Sequence, residues 1–182
     1  IENDIAKGVL LESGEKLFAD IVVSNADVHH TDTRLLPAEY RTKSDKYWES
    51  RVLAPSAFIL YLGIKGTLPQ MEHHNLLFTK NWEEGFAQIF KKPEWPHDPS
   101  MYVCVPSKTD TTIAPSDHEN LFVLVPIASG LTYDDTFAEN YGDKVLDEIA
   151  KYYNIPDLRE RIVVRHHYSV KDFVADYNAF KG

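Results

Sequence analysis

Cysteine is nearly missing from this chain: Cys104 stands alone among 182 residues. An internal disulfide is thereby excluded, and with a single thiol a cysteine-based zinc site is not expected. Cys104 sits in the apolar run Tyr102-Val103-Cys104-Val105 and reads as a buried structural thiol. Positive charge is scarce as well, with 19 Lys and Arg against 28 Asp and Glu and a net charge of -9. The basic residues are scattered, which excludes the electrostatic footprint of a nucleic-acid binder. No segment comes near the roughly 18 unbroken apolar residues of a membrane-spanning helix. Nor does the chain open on a methionine or on a cationic segment followed by an apolar one, so no secretory signal is read and an internal piece of a longer protein is expected.

What is present is an ordered series of strand and helix signals. Two strand-like runs flank Glu12-Ser13-Gly14-Glu15, the turn chemistry of a hairpin. Ile21-Val22-Val23 reads as a buried strand ending in Ser24-Asn25-Ala26-Asp27, with Asp27 suited to cap a helix. Between Val28 and Ser50 two short helices are expected, broken at Pro37. Ala57 to Ile64 is the longest apolar run and reads as a core strand. A short strand at Asn75 to Phe78 and a helix over Trp82 to Phe90 follow. Three prolines between Lys92 and Pro99 exclude a helix there and predict a surface loop.

Ser100 to Val105 and Leu121 to Val125 read as antiparallel partners around a loop rich in Ser, Thr, Asp and Pro. In that loop Thr109 and Asp110 are expected to bond the backbone. Thr136 to Tyr153 carries apolar residues near the helical period, stopped by Pro156. Arg161 to Tyr168 alternates like a strand, and Ser169 caps a last helical stretch. This order predicts an α+β fold, a mostly antiparallel mixed sheet with helices packed on one face.

Two blocks resemble the flavin-dependent carotenoid desaturases of the phytoene desaturase type. Ala19 to Asp27 is similar to the strand that returns in that family from a hairpin to the cofactor domain. Ser100-Met101-Tyr102-Val103-Cys104-Val105-Pro106-Ser107-Lys108-Thr109-Asp110, with Ala114-Pro115 and Leu121 to Pro126, is the more specific match. Ser56 to Gly63, Asp172-Phe173 and Tyr177 to Gly182 agree in order, so the resemblance covers essentially the whole chain. The family's glycine after the Ala-Pro step is missing, with Ser116-Asp117-His118 in its place.

The resemblance implies the substrate domain of an FAD-dependent oxidoreductase. Residues 1-30 would be the returning hairpin and strand of the FAD-binding domain, and residues 31-182 the substrate-binding domain. The implied reaction introduces double bonds into a long apolar polyene, with a carotenoid isomerase or retinol saturase-like flavoprotein as the alternative. A non-catalytic apolar-ligand-binding or interaction domain is the reading from another class. Ser24, Asn25, Ala26 and Asp27 would touch the FAD of the parent. The Gly-x-Gly-x-x-Gly pyrophosphate turn has no counterpart here, since Gly63 and Gly66 have no helix signal behind them. FAD is therefore not expected bound to this piece, and no catalytic residue is assigned.

The resemblance also implies a cytoplasmic parent attached peripherally to a membrane, because its substrate partitions into lipid. The substrate cavity is expected on strands carrying Phe58, Leu60, Leu62, Val103, Val105, Phe122 and Leu124. Three histidine pairs, His29-His30, His73-His74 and His166-His167, are not expected to bind metal, because neighbours in a strand point to opposite faces. A hydrolase triad is excluded for want of a Gly-x-Ser-x-Gly elbow.

Overall fold

A computed structural model describes residues 1-182. The chain divides into two compact units, Ile1–Trp48 and Glu49–Gly182.

In the first unit β1 (Gly8–Leu10) and β2 (Lys16–Phe18) form the expected antiparallel hairpin. Its turn closes when the Gly14 amide donates to the Leu11 carbonyl, with Gly14 at φ +85, a backbone shape glycine adopts without cost. The run Ile21-Val22-Val23 does not form the buried strand its composition predicts. It pairs with no strand of this chain, and Ile21 and Val23 are 80% and 84% exposed. β-Branched residues favour a strand only where a neighbouring strand satisfies the backbone and covers the side chains.

Asp27 caps α1 (Val28–His30) by accepting from the His30 amide at 3.0 Å, as its position suggested. A five-residue π-helical turn over Thr31–Leu35 continues it, and a short helix α2 (Asp45–Glu49) follows. Asp32, only 4% exposed, ties this unit together. Its carboxylate accepts from the Thr42 amide at 2.7 Å, the Thr42 hydroxyl at 3.0 Å and the Lys43 amide at 3.3 Å.

The second unit is built on a five-stranded antiparallel sheet. Its strands are β3 (Ser56–Lys65), β4 (His74–Leu77), β5 (Met101–Cys104), β6 (His118–Ile127) and β7 (Ile162–Tyr168). They lie side by side in the order β4-β5-β6-β3-β7. β6 begins earlier than predicted, at His118, so β3 and β6 pair along ten residues each, from Ser56↔Ile127 to Lys65↔His118. With three helices, α3 (Trp82–Phe90), α4 (Asp135–Tyr153) and α5 (Val170–Tyr177), the architecture is the α+β class expected.

One face of this sheet is the core. Phe58, Leu60, Leu62 and Ile64 of β3, Val103 of β5, and Leu121, Val123, Val125 and Ile127 of β6 are buried with Tyr141, Val145, Leu146 and Ile149 of α4. Alternation of period two puts all of these sheet residues on the same side. The helix comes close because Gly142 has no side chain: a Cβ there would lie 3.3 Å from Leu60 and 2.6 Å from the Arg165 guanidinium. Trp95, from the proline loop, packs edge-on against Phe58 and Tyr141 at 6.0 and 4.9 Å and seals the layer. α4 ends on Asn154 in the left-handed conformation, φ 53 and ψ 52, two residues before Pro156. Asn is one of the few residues to enter that region readily.

A candidate apolar ligand face

The other face of the sheet is not covered by α4. The strand pairings arrange its side chains in two cross-strand rows. One row is His74, Cys104, Phe122, Tyr61 and His166; the next is Leu76, Tyr102, Leu124, Ile59 and Tyr168. Tyr61 is 44% exposed and Leu76 60%, whereas Phe122 and Leu124 are half-buried. Tyr61 and Phe122 meet edge-to-face at 5.5 Å, and Tyr102 meets Phe122 at 6.2 Å.

Two apolar hollows open on this face. The larger, about 590 Å³, has Tyr61, Gly63, Phe122 and Val164 in its floor and wall, with Ile113, Ala114 and Pro115 of the long loop beside them. The second, about 490 Å³, is bordered by Ala57, Leu124 and Pro126 of the sheet and by Phe173 of α5. They occupy successive outward positions of β3 and β6, and ten residues of strand extend roughly 33 Å. An elongated apolar molecule is the shape this surface suits.

The loop that borders the larger hollow is held firmly. Buried Glu119 accepts from the Lys108 ammonium at 2.9 Å and from the Leu68 amide at 3.1 Å, and Lys108 also donates to the Leu68 carbonyl. Asp110 accepts from the Thr112 amide and hydroxyl, as its loop-stabilising reading predicted, and these bonds lower its pKa. Where the resemblance lacks its glycine, Asp117 turns the chain at φ +62 and gives its carbonyl to the Gly66 amide at 2.6 Å. Aspartate is one of the few side chains that tolerate this conformation.

The seven residues assigned to a cavity therefore fall on two sides. Phe58, Leu60, Leu62, Val103 and Val105 are at most 3% exposed and pack in the core. Phe122 and Leu124 are on the open face, and Leu62, though buried, also borders the larger hollow. With them stand Tyr61 and Tyr102, which the sequence reading passed over, while Ile59 of the same row is buried, only 7% exposed. The signal for these was in the alternation of β3, whose pairing with β6 sets Tyr61 opposite Phe122 and Phe58 opposite Val125.

Ser24, Asn25, Ala26 and Asp27 are brought together by adjacency at the end of the exposed run 21-23. The Ser24 hydroxyl bonds that of Thr31 at 2.7 Å, and Asp27 is engaged as the cap of α1. Cys104, read as a buried thiol, is only half-buried, because Val103 and Val105 take the core side. No helix is long and apolar enough to cross a membrane.

The sheet face marks an apolar surface, and comparison with known proteins supplies its context. No protein-family model matches the chain. Carotenoid 3,4-desaturase of Haloarcula japonica is 46% identical over 178 residues, 97% of this chain and 36% of that protein. 4,4'-Diaponeurosporene oxygenase of Staphylococcus aureus strain bovine RF122 is 32% identical over 179 residues, 96% of this chain and 35% of that protein. The same oxygenase of strain MRSA252 is 31% identical over 179 residues. The chain thus aligns almost end to end with carotenoid-modifying enzymes while spanning little more than a third of their length. It belongs to the carotenoid desaturase family.

Proposed function

We propose that this chain is the polyene-binding part of an FAD-dependent carotenoid desaturase, and that the open sheet face is the surface on which the hydrocarbon lies. The observation that carries the reading is the pair of aromatic and aliphatic rows across five strands, flanked by two apolar hollows. A polyene offers almost no hydrogen-bonding group, so its recognition rests on shape and on burial at about 25 cal/mol per Å². Phe122, Leu124, Tyr61 and Tyr102 would supply that burial. Phe58, Leu60, Leu62, Val103 and Val105 act one layer beneath, holding the sheet rigid so that the face keeps its form.

The residues toward the cofactor fit this reading. Ser24, Asn25 and Ala26 lie exposed at the carboxyl end of an apolar run, where a hydroxyl, an amide and backbone groups are available to a polar ligand. Asp27 keeps the turn in place as a helix cap. The bare sides of Ile21, Val22 and Val23 suit a strand whose partners belong to a nucleotide-binding sheet. When bound, the flavin supplies the hydride acceptor. The chain's own part is to orient the polyene and to exclude water from it.

Peripheral attachment to the cytoplasmic side of a membrane belongs to the same reading, since the substrate is drawn from lipid. Trp82, Phe86 and Phe90 of α3 are 61%, 58% and 40% exposed and recur one turn apart, with Lys80, Lys91 and Lys92 at the helix ends. Interfacial aromatics with flanking lysines favour the headgroup region.

Incubating the complete protein with FAD and a partly saturated carotenoid, followed by mass analysis of the product, tests the assignment. Loss of two hydrogens per turnover is expected. Incorporation of oxygen, with or without loss of hydrogen, would move the chain to the oxygenase relatives, and an unchanged substrate would sink the catalytic reading.

A further inference from the structure

His73, His74 and Cys104 converge at one edge of the sheet, and the geometry points to a site for a zinc-like divalent cation at the β4 end of the first cross-strand row. Their ligand atoms all lie within 4.8 Å of one another. His74 is opposite Cys104 in the β4 to β5 register, with its Nδ1 4.0 Å from the sulfur. The two imidazole centroids are 4.1 Å apart and tilted by 48°. Adjacent histidines project to opposite faces only inside a strand, and β4 begins at His74. His73 stands just before it, so strand parity does not set its ring on the opposite face.

The backbone holds this arrangement in place. The Val105 amide donates to the His73 carbonyl at 2.8 Å, which fixes His73 beside the strand that carries Cys104. Each ring also has a hydroxyl against its Nδ1, Thr109 for His73 at 2.7 Å and Tyr102 for His74 at 2.8 Å. Such second contacts orient imidazoles around a metal or yield Nδ1 to it. No carboxylate is among the three groups, so the set is not one for calcium or magnesium.

Two imidazoles and one thiolate are the donors of a zinc site with an open fourth position. Ligands on a tetrahedral zinc stand about 3.5 Å apart, given bond lengths of about 2.0 to 2.3 Å. The present spread, within 4.8 Å, exceeds that value by a distance of the order that side-chain rotation spans. On binding, the thiol loses its proton to solvent and the sulfur and two nitrogens form bonds to the cation; nothing is oxidised or reduced. A lone cysteine thus contributes to a cation site because two histidines, distant from it in sequence, meet it across the strand pair.

The test is a zinc and cobalt titration of the full chain, stripped with chelator and reduced. One equivalent of cobalt is expected to produce a thiolate-to-metal absorption in the near ultraviolet, and one equivalent of zinc is expected to abolish it. Cys104→Ser should remove that band. His73→Gln and His74→Gln should each weaken zinc binding at least tenfold in equilibrium dialysis, while His118→Gln leaves it unchanged. All three ligand positions are outside the core, and a thermal melt of each variant verifies its fold. Absence of the cobalt band in the unaltered chain, or binding that survives both Cys104→Ser and His74→Gln, would overturn the proposal.

Discussion

Tyr61 and Phe122 are opposite one another in the pairing of β3 with β6, their rings 5.5 Å apart and both on the side away from α4. If this face takes the polyene, its occupants must matter for binding more than for folding. Phe122→Asp in the complete protein is expected to raise KM for the carotenoid at least tenfold, since burial of one such side chain is worth about 1.5 to 3 kcal/mol. The thermal midpoint should move by only a few degrees. Steady-state kinetics beside a melting curve provides both readings.

Phe58 is expected to behave in the opposite way. It is fully buried between Trp95 and Tyr141, so Phe58→Ala opens a cavity in the core. A loss of about 3 to 5 kcal/mol in unfolding free energy is predicted, measured by denaturant titration. Removal of a ligand-facing side chain would cost far less stability.

The difference between these two residues also shows how far the sequence was legible. Strand and helix identities were readable: α3 runs over Trp82–Phe90 as predicted, and the alternation in β5 and β6 is the period of two along a sheet. What one strand does not reveal is which of its faces joins which face of its neighbour. Phe58 pairs with Val125, not with Phe122 or Leu124, and that register arises from long-range pairing. Of the seven apolar residues grouped in one cavity, Phe58, Leu60, Leu62, Val103 and Val105 pack in the core while Phe122 and Leu124 point to the other side of the sheet. Ile21-Val22-Val23 failed for a related reason, because strand-like composition needs partners that no other part of the chain supplies. The cluster of His73, His74 and Cys104 was hidden because strand parity was applied to a residue outside the strand.

Acid should weaken the first unit through Asp32. Its carboxyl is held below the usual range chiefly by the Thr42 amide, then by the Thr42 hydroxyl and the Lys43 amide, against the opposing effect of burial. A depressed folded value means that the ionised form stabilises the fold above the ordinary aspartate range. That contribution disappears as pH falls through the folded value. Asp32→Asn is expected to lower stability at neutral pH and to flatten its fall in acid, followed by circular dichroism between about pH 7 and pH 2.

Membrane attachment through α3 predicts a separable defect. Trp82→Ser with Phe86→Ser should reduce co-sedimentation of the complete protein with lipid vesicles several-fold, since both rings are exposed. Turnover of a carotenoid delivered in detergent should be preserved. Unchanged sedimentation would place the membrane contact elsewhere.

The most direct test of the ligand face is photolabelling of the complete protein with a diazirine-bearing polyene, with the modified residues located by mass spectrometry. Labels are expected on Tyr61, Phe122, Leu124 and Tyr102, reduced by unlabelled carotenoid in excess. Competed labels confined to α3 or to the first unit, with none on these four residues, would contradict it.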